Sequence, residues 1–600
     1  MKDLLVDDGK IICLIHKISR KATPEEFVRQ EFCRVLLNVY KYPLSHISLE
    51  FPIQMGSKTK RGDIVIFNSS EKTQNNIYIV VETKNKQEID GKEQLQSYMN
   101  ATTALFGIWT NSVGISYYLK QMETHIEIIE IPDIPKYRDT LEKVGIYAKD
   151  DLELCTNLKD IFVRCNNYFY VNQGLTQDKR FSEIIKILFC KIEDEKNFTK
   201  NLCDFFISPK EISGESELQL FRKRIDKLFE NVKKRYKLDN IFNETDEIIL
   251  NDRCLTFAIA AFQKYSLLES DTDIKGIAFE TFVGNNLRGE HGEFFTPREL
   301  VRLTVELLRP TITETVCDPA CGSGGFLVMI LKFMRNEIDK IVATKKISAV
   351  KLFQDYADDH IRGIDFNPDL ARVAKMNMVL NDDGHTGIFH ADSLLPFDEW
   401  EPKLLDKISK NSMDIIVTNP PFGKKCIIDN KKILRKFELG HKWIKNDLIW
   451  EKSELVENYR TPDILFIERC YELLTSTGRM GIVLPDGILG NDGFVAVRQF
   501  ILDHFHIVAI IDCPVETFLP TVDTKTSLLI LKKKEKDEVQ TFDTFMGICK
   551  FMGHDRRGKI LYERNEDGEI LFKDGNPLIK NDFFEISERF KEYVESRNIF

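Results

Sequence analysis

From about residue 294 to 535 the chain alternates short apolar runs with helical patterns, and no other feature narrows its fold as far. The runs are TVCDP, IRGIDF, DIIVTNP, GRMGIVLP and SLLILKKK. They are strand-length, and the stretches between them carry apolar residues three and four apart. That order predicts a mostly parallel sheet covered by helices, because parallel strands need crossovers that bury both faces. At 600 residues the chain exceeds one hydrophobic core, so other domains should surround this one.

Two other regions separate by pattern. Residues from about 22 to 125 mix helical periodicity over Phe27–Tyr40 with strand-like runs, IVIF (64–67) and IYIVVE (77–82). From about 150 to 290 the strand signal is weak, and 181–198 and 221–236 read as amphipathic helices. The last 60 or so residues are polar and read as a loop-rich appendage that contacts a partner. The division expected is 1–130, 131–290, 291–540 and 541–600.

Composition sets outer limits. An apolar fraction of 43% and a charged fraction of 30% describe an ordinary soluble protein. The net charge of -10 argues weakly against a nucleic-acid partner, since phosphate-binding faces bring an excess of Lys and Arg. The 13 cysteines are scattered without zinc-site spacing, which suits a reducing cytosol. The start is acidic where a secretory signal would be basic, and no apolar run nears the roughly 20 residues of a membrane span. A cytoplasmic protein without a membrane partner is expected.

The sharpest local signal is VCDPACGSGGFLV (316–328). A strand ends at Cys317, a turn of small residues follows, and FLVMILKFM continues as a helix. Ala320, Gly322, Ser323 and Gly324 let backbone approach a ligand, and the helix start supplies free N–H groups. The turn is neither a Walker phosphate loop nor a GxGxxG dinucleotide turn. Asp365, at the tip of the next strand, either accepts ribose hydroxyls or is a solvated strand-end acid. Asp392 follows a third short strand.

Asn419-Pro420-Pro421-Phe422 ends the fourth. The two prolines stiffen the backbone, so the Asn419 side chain and the Pro420 carbonyl present a rigid pair of acceptors. An exocyclic amine with two hydrogens matches that pair, and Phe422 offers a face for a planar base. A purely structural turn would need no aromatic here. The segment 423–445 then holds about eight Lys or Arg against two acids. Lys424, Lys425, Lys431, Lys432, Arg435 and Lys436 are candidate phosphate contacts, with a solvated loop as the alternative.

Together these motifs closely resemble the amino-methylating DNA methyltransferases, in particular the modification subunits of type I and related restriction–modification systems. The resemblance spans roughly 250 to 580. It implies a Rossmann-like domain that binds S-adenosylmethionine. In GEFFTPRELV (292–301), Phe295, Thr296 and Pro297 would border the methionine end of that cofactor. Asp318 belongs to the cofactor turn, Asp365 would hold the ribose, and Asp392 would lie near the cofactor's adenine. Asn419 to Phe422 match the catalytic motif. The motif order is that of the γ-class adenine-N6 enzymes, which implies direct methyl transfer to an adenine flipped out of double-stranded DNA.

The N-terminal region carries a second constellation. Asp63 starts one strand, and Glu82 and Lys84 share a face of the next. Two converging carboxylates make a hard-oxygen site for Mg²⁺, and the lysine can position or activate a water. Each charge alone would pass as surface decoration. The set resembles the PD-ExK nucleases, and residues 20 to 125 resemble the N-terminal nuclease domain of type I restriction subunits. That resemblance implies Glu31 as an additional helix acid, with Gln94 and Tyr98 as a supporting QxxxY element. The fold class expected is α/β multidomain: a PD-ExK nuclease-like domain, a helical connector and the methyltransferase.

No Walker A motif occurs, so cleavage should not draw on ATP from this chain. The segment after the last sheet strand is too short for a recognition domain of usual size. A separate DNA-specificity subunit is therefore expected, with a second copy of the chain as a further partner. Three rivals stand beside this reading: a modification-only subunit with an inactive N-terminal module, an RNA or protein-glutamine methyl acceptor, and a non-enzymatic DNA scaffold.

Overall fold

The strands expected at 64–67 and 77–82 form the middle of a six-stranded sheet. The computed structural model describes every residue except 1–5, 8–9, 86–89, 112–113, 123–125, 156, 198, 238–240, 271–295, 344–347, 382–383, 424–425, 447–448, 520–521, 536–537 and 574–575. Two units emerge. One joins Met1–Cys155, Val163–Lys234 and Asp246–Ser266; the other joins Thr156–Phe162, Arg235–Thr245 and Leu267–Phe600.

In the first unit, β1 (Ile47–Met55), β2 (Lys58–Phe67), β3 (Ile77–Thr83), β4 (Phe106–Thr110), β5 (Ile115–Met122) and β6 (Ile126–Ile131) lie side by side in chain order. Only β3 and β4 pair in parallel, and their connection carries helix α2 (Lys92–Ala101), as a parallel crossover requires. Helix α1 (Pro24–Asn38) starts at Thr23, whose side chain accepts the Glu26 N–H, with Pro24 in the first turn. Strand alternation splits the core in two. Ile64, Ile66, Ile79 and Val81 pack with Phe32, Cys33 and Leu36 of α1. Val65, Phe67 and Val80 pack with Leu95, Tyr98 and Met99 of α2. Asp63 and Glu82 fall on the parity of Val65 and Val80. The expected helices are present as α3 (Gln177–Glu195) and α4 (Glu215–Arg235).

The second unit contains an eight-stranded sheet. Its strands are β7 (Val316–Asp318), β8 (Ile361–Asp365), β9 (Ile388–His390), β10 (Met413–Thr418), β11 (Leu474–Pro485), β12 (Phe505–Asp512), β13 (Thr526–Lys533) and β14 (Phe545–Ile548). Their spatial order is β9-β8-β7-β10-β11-β13-β12-β14. The first five are parallel, and β13 runs antiparallel to both neighbours. From β7 the chain builds outward through β8 and β9, then returns to β10 on the other side. The carboxyl ends of β7 and β10 therefore flank a topological switch point, where open α/β sheets bind ligands.

Two segments depart from the sequence reading. The tail is not an appendage: β14 extends the sheet, and helix α5 (Phe583–Arg597) packs with Leu300, Leu303 and Leu307 of the helix Arg298–Leu308. Phe583, Ile586, Phe590 and Val594 make its buried face, and the charges between them gave the polar appearance. The end of the basic segment is the first strand of a hairpin, His441–Asn446 against Ile449–Val456.

All thirteen cysteines are free of disulfides; twelve are buried and Cys426 is half-buried. Among the described residues no helix is long and apolar enough to cross a membrane.

Candidate functional site

The glycine turn after β7 is shaped by its backbone. Gly322 and Gly324 take φ of +53° and +79°, which L side chains rarely adopt. A Cβ on Gly322 would meet nothing within 4 Å, so that face is open. The helix Gly325–Val342 begins immediately afterwards, leaving its first amides at the turn.

Asp365 is 9% exposed. Its Oδ2 accepts the Gly322 N–H at 2.8 Å and its Oδ1 the Asn367 N–H at 2.9 Å. This acid ties the end of β8 to the glycine turn, so it is no simple solvated strand-end group. Ser323 offers its carbonyl to Asn377 Nδ2 at 2.9 Å, and Ala320 is half-buried. Asp318 is buried, with Oδ1 accepting the Ala320 N–H at 3.1 Å. Burial pushes its carboxyl up to about 7, against a smaller lowering by that amide. Asp392 accepts the Leu394 N–H at 2.8 Å, and burial raises its carboxyl too. Ser393 Oγ donates to the Pro319 carbonyl at 2.5 Å, bracing this loop against the glycine turn.

Across the switch point, Asn419 stands at the end of β10. Its Nδ2 donates to Thr296 Oγ1 at 3.0 Å, while its Oδ1 is buried with no hydrogen-bond partner among the described residues. Leaving a buried carbonyl unpaired costs about 1–3 kcal/mol, so the position is prepared for a donor. Pro297 precedes the helix Arg298–Leu308 and sets its entry. Pro420 is buried and Pro421 half-buried. Phe422 is a correction: it is only 4% exposed, packed edge-on with Phe518 at 5.8 Å between ring centroids, so its face is not open as expected. The exposed aromatic is Phe366, 72% exposed beside Asp365. It was missed because one Phe in GIDFNP looks like strand core; its place after the acid, past the strand end, was the available signal.

Phe295, Lys424 and Lys425 lie outside the described residues. Lys431, Lys432, Arg435 and Lys436 are exposed on and after the short helix Lys431–Leu434. Two are already engaged: Lys431 donates to the Glu457 carbonyl, and Lys432 pairs with Glu399 at 2.9 Å. S-adenosylmethionine fits the second unit's site chemically, through an open glycine turn, an acid at the tip of β8, an exposed aromatic and an amide oxygen without a donor among the described residues.

In the first unit, the pairing Ile64↔Val81 brings Asp63 beside Glu82. Asp63 Oδ2 accepts the Thr83 N–H at 2.8 Å and the Thr83 hydroxyl at 3.0 Å. Glu82 is 2% exposed; Oε1 pairs with Lys84 Nζ at 2.7 Å, and Oε2 has no hydrogen-bond partner among the described residues. Burial, with Asp63 next in effect, pushes the Glu82 carboxyl up to about 7 against the lowering by Lys84. Gln94 Nε2 donates to Tyr98 Oη at 2.6 Å, which donates to the Arg61 carbonyl at 3.1 Å. Gly91, at φ +107°, lies so close that a Cβ would sit 2.7 Å from Lys84 Cε.

Glu31 is exposed on α1. The helix acid that turns inward is Glu26, five residues earlier and about 140° away around the helix. Glu26 Oε2 pairs with Arg29 Nη1 at 2.7 Å, and Arg29 Nη2 reaches Asp63 Oδ1 at 2.9 Å. Glu50 also reaches Arg29, at 3.3 Å. Its backbone is at φ +53°, where the β1–β2 ladder steps from Leu49↔Ile64 to Phe51↔Gly62. Among the described residues no three His, Cys, Asp or Glu side chains gather as a metal cage. Two carboxylates with one orphaned oxygen nevertheless suit Mg²⁺, which keeps several waters.

The comparisons with known proteins divide along the same line. The model for the N-6 DNA methylase family matches residues 270–597, and that for the type I restriction enzyme R protein N terminus matches 24–135. The MpnII methylase subunit of Mycoplasma pneumoniae is 26% identical over 298 residues, 48% of this chain and 49% of that one. The StySPI methylase subunit of Salmonella potsdam and the EcoKI methylase subunit of Escherichia coli K12 are each 26% identical over 404 residues, covering 64% of this chain and 66% of theirs. The chain thus spans about half to two thirds of these curated relatives. A chain of a solved type I restriction–modification system superposes at a TM-score of 0.45 with 20% identity, over 74% of this chain and 84% of that one. With more than half of its residues inside the first model, the chain belongs to the N-6 DNA methylase family, and ahead of that match it carries a type I restriction-subunit N-terminal domain.

Proposed function

We propose that the chain methylates adenine N6 in double-stranded DNA, as the modification subunit of a restriction–modification system. The observation that carries this reading is Asn419, with its amide nitrogen anchored on Thr296 and its oxygen buried and unpaired. An entering N6 amine would donate to that oxygen and to the Pro420 carbonyl. Two such acceptors draw the amine lone pair out of the ring and aim it. Asp365 would hold ribose hydroxyls, Phe366 would cover a flat ring, and Phe422 with Phe518 would form the apolar wall beneath the base. Bound S-adenosylmethionine supplies the electrophilic methyl group. No cysteine nucleophile is needed, and burial raises the thiols of Cys317, Cys321 and Cys470.

Target choice would come from a separate specificity subunit, with a second copy of the chain in the complex and the assembly in the cytoplasm. The relatives' status as methylase subunits of type I enzymes supports this. Lys431, Lys432, Arg435 and Lys436 would contact DNA phosphates. The test is Asn419→Ala with the specificity subunit present: methyl transfer to adenine should fall by about a hundredfold or more while S-adenosylmethionine still binds. Adenine methylation at a rate reduced less than about tenfold refutes the assignment.

A second activity is favoured by one further observation, the orphaned Glu82 Oε2 beside Asp63 and Lys84. Asp63 and Glu82 would hold Mg²⁺ for endonucleolytic cleavage, with Gln94 positioning Tyr98 and the Arg61 carbonyl behind them. The competing reading is an inactive DNA- or partner-binding module. Plasmid cleavage that requires Mg²⁺ and is lost in Lys84→Ala separates the two.

A further inference from the structure

The charge around Asp63 is more elaborate than a two-carboxylate metal site needs. Arg29 is 7% exposed and lies among Asp63, Glu26 and Glu50 at 2.9, 2.7 and 3.3 Å, with Glu25 at 3.8 Å. Arg20 supports the outer side, 3.2 Å from Glu50 and 3.7 Å from Glu26. With Glu82 and its partner Lys84, five carboxylates face three cations among the described residues. With every carboxylate ionised two negative charges remain, which a single divalent ion would match. The strained backbone at Glu50 is what delivers the fourth carboxylate to Arg29, and such strain persists only where the surroundings hold it.

We propose that Arg29 is the positioning residue of this site. It orients Asp63 and stands where a second metal ion would have to bind, so that Asp63 and Glu82 take one divalent cation. In two-metal nuclease sites the ions sit about 3.5–4 Å apart and share a carboxylate. Here the guanidinium already holds Asp63 Oδ1, and its charge opposes another cation at that distance. The vacant coordination falls to Glu82 Oε2, which is buried and has no hydrogen-bond partner among the described residues. This inference rests on the metal-binding reading of the first unit.

Mn²⁺ binding to the full chain, counted by calorimetry and by the paramagnetic resonance of free Mn²⁺, tests both levels separately. The unmutated chain should hold one more ion than Glu82→Gln. No difference would remove the metal reading itself; a difference of two ions would leave that reading standing and overturn the role of Arg29. Arg29→Gln should take up one additional Glu82-dependent ion, while Arg29→Lys should stay at one. An Arg29→Gln chain that folds, by circular dichroism, and still binds one ion with affinity changed less than twofold also overturns the proposal. Should Arg29→Gln fail to fold, the count for the unmutated chain against Glu82→Gln decides alone.

Discussion

The two sites both lie along sheet strands, but they leave different things unsatisfied. Around Asp63 the charges are paired into a chain of ions, and what remains is a surplus of negative charge. Around Asn419 the carboxylates Asp318, Asp365 and Asp392 stand at the strand ends and accept backbone amides; what remains is an uncharged oxygen without a donor among the described residues and an open glycine turn. The first arrangement would be completed by a cation, whose attraction is strong and tolerant of direction. The second would be completed by groups whose hydrogen bonds must be aimed, with the turn, strand ends and prolines holding the acceptors in place.

Substitutions test that contrast. Asn419→Ala should lower methyl transfer by about a hundredfold to a thousandfold, the usual loss for one aimed polar group at a reacting centre. Mn²⁺ uptake by the first unit should not change, and a parallel loss would show the sites are coupled. Lys84→Ala should lower Mg²⁺-dependent cleavage by about a hundredfold or more with methylation intact, measured on plasmid and on methyl-labelled DNA.

The contrast extends to pH. The Asp318 carboxyl is raised to about 7 by burial, above its unfolded range near 4. Its favourable contribution is therefore complete below about pH 4 and lost as pH rises towards 7. Asp318→Asn keeps an acceptor for the Ala320 N–H and should remove about 2–3 kcal/mol of that decline, read from melting temperatures between pH 4 and 8. Glu468, also raised to about 7 by burial, should keep the remaining slope. An unchanged slope would place Asp318 in contact with water. Gly324→Ala should cost about 1–2 kcal/mol because of its positive φ, and Gly322→Ala about 1 kcal/mol, both measured by thermal unfolding. Phe366→Ala should have the smallest effect, about threefold to tenfold weaker S-adenosylmethionine binding by calorimetry, the worth of one stacked ring.

What could be read from the chain beforehand followed contiguity. The glycine turn and Asn419-Pro420-Pro421-Phe422 are short, local and stiff, so residue type and spacing already describe their geometry. Arg29, Glu50 and Phe366 were not legible in that way. Arg29 matters because a helix and two strands converge on it, and Glu50 because a break in a ladder turns it. Neither has a sequence pattern of its own. Glu26, not singled out from the sequence, is buried beside Arg29 while Glu31 is exposed, a difference of helical phase that only packing shows. The tail was misjudged for a related reason: α5 buries a narrow stripe, and its charges outnumber the residues that anchor it.

The cysteines carry a practical consequence. Twelve thiols are buried and one, Cys426, is half-buried four residues beyond Phe422. A gentle maleimide treatment should therefore place a dye on Cys426 before any other thiol, with no engineered substitution. The label would sit four residues along the chain from Phe422, and its fluorescence would test whether a base or a partner reaches that segment.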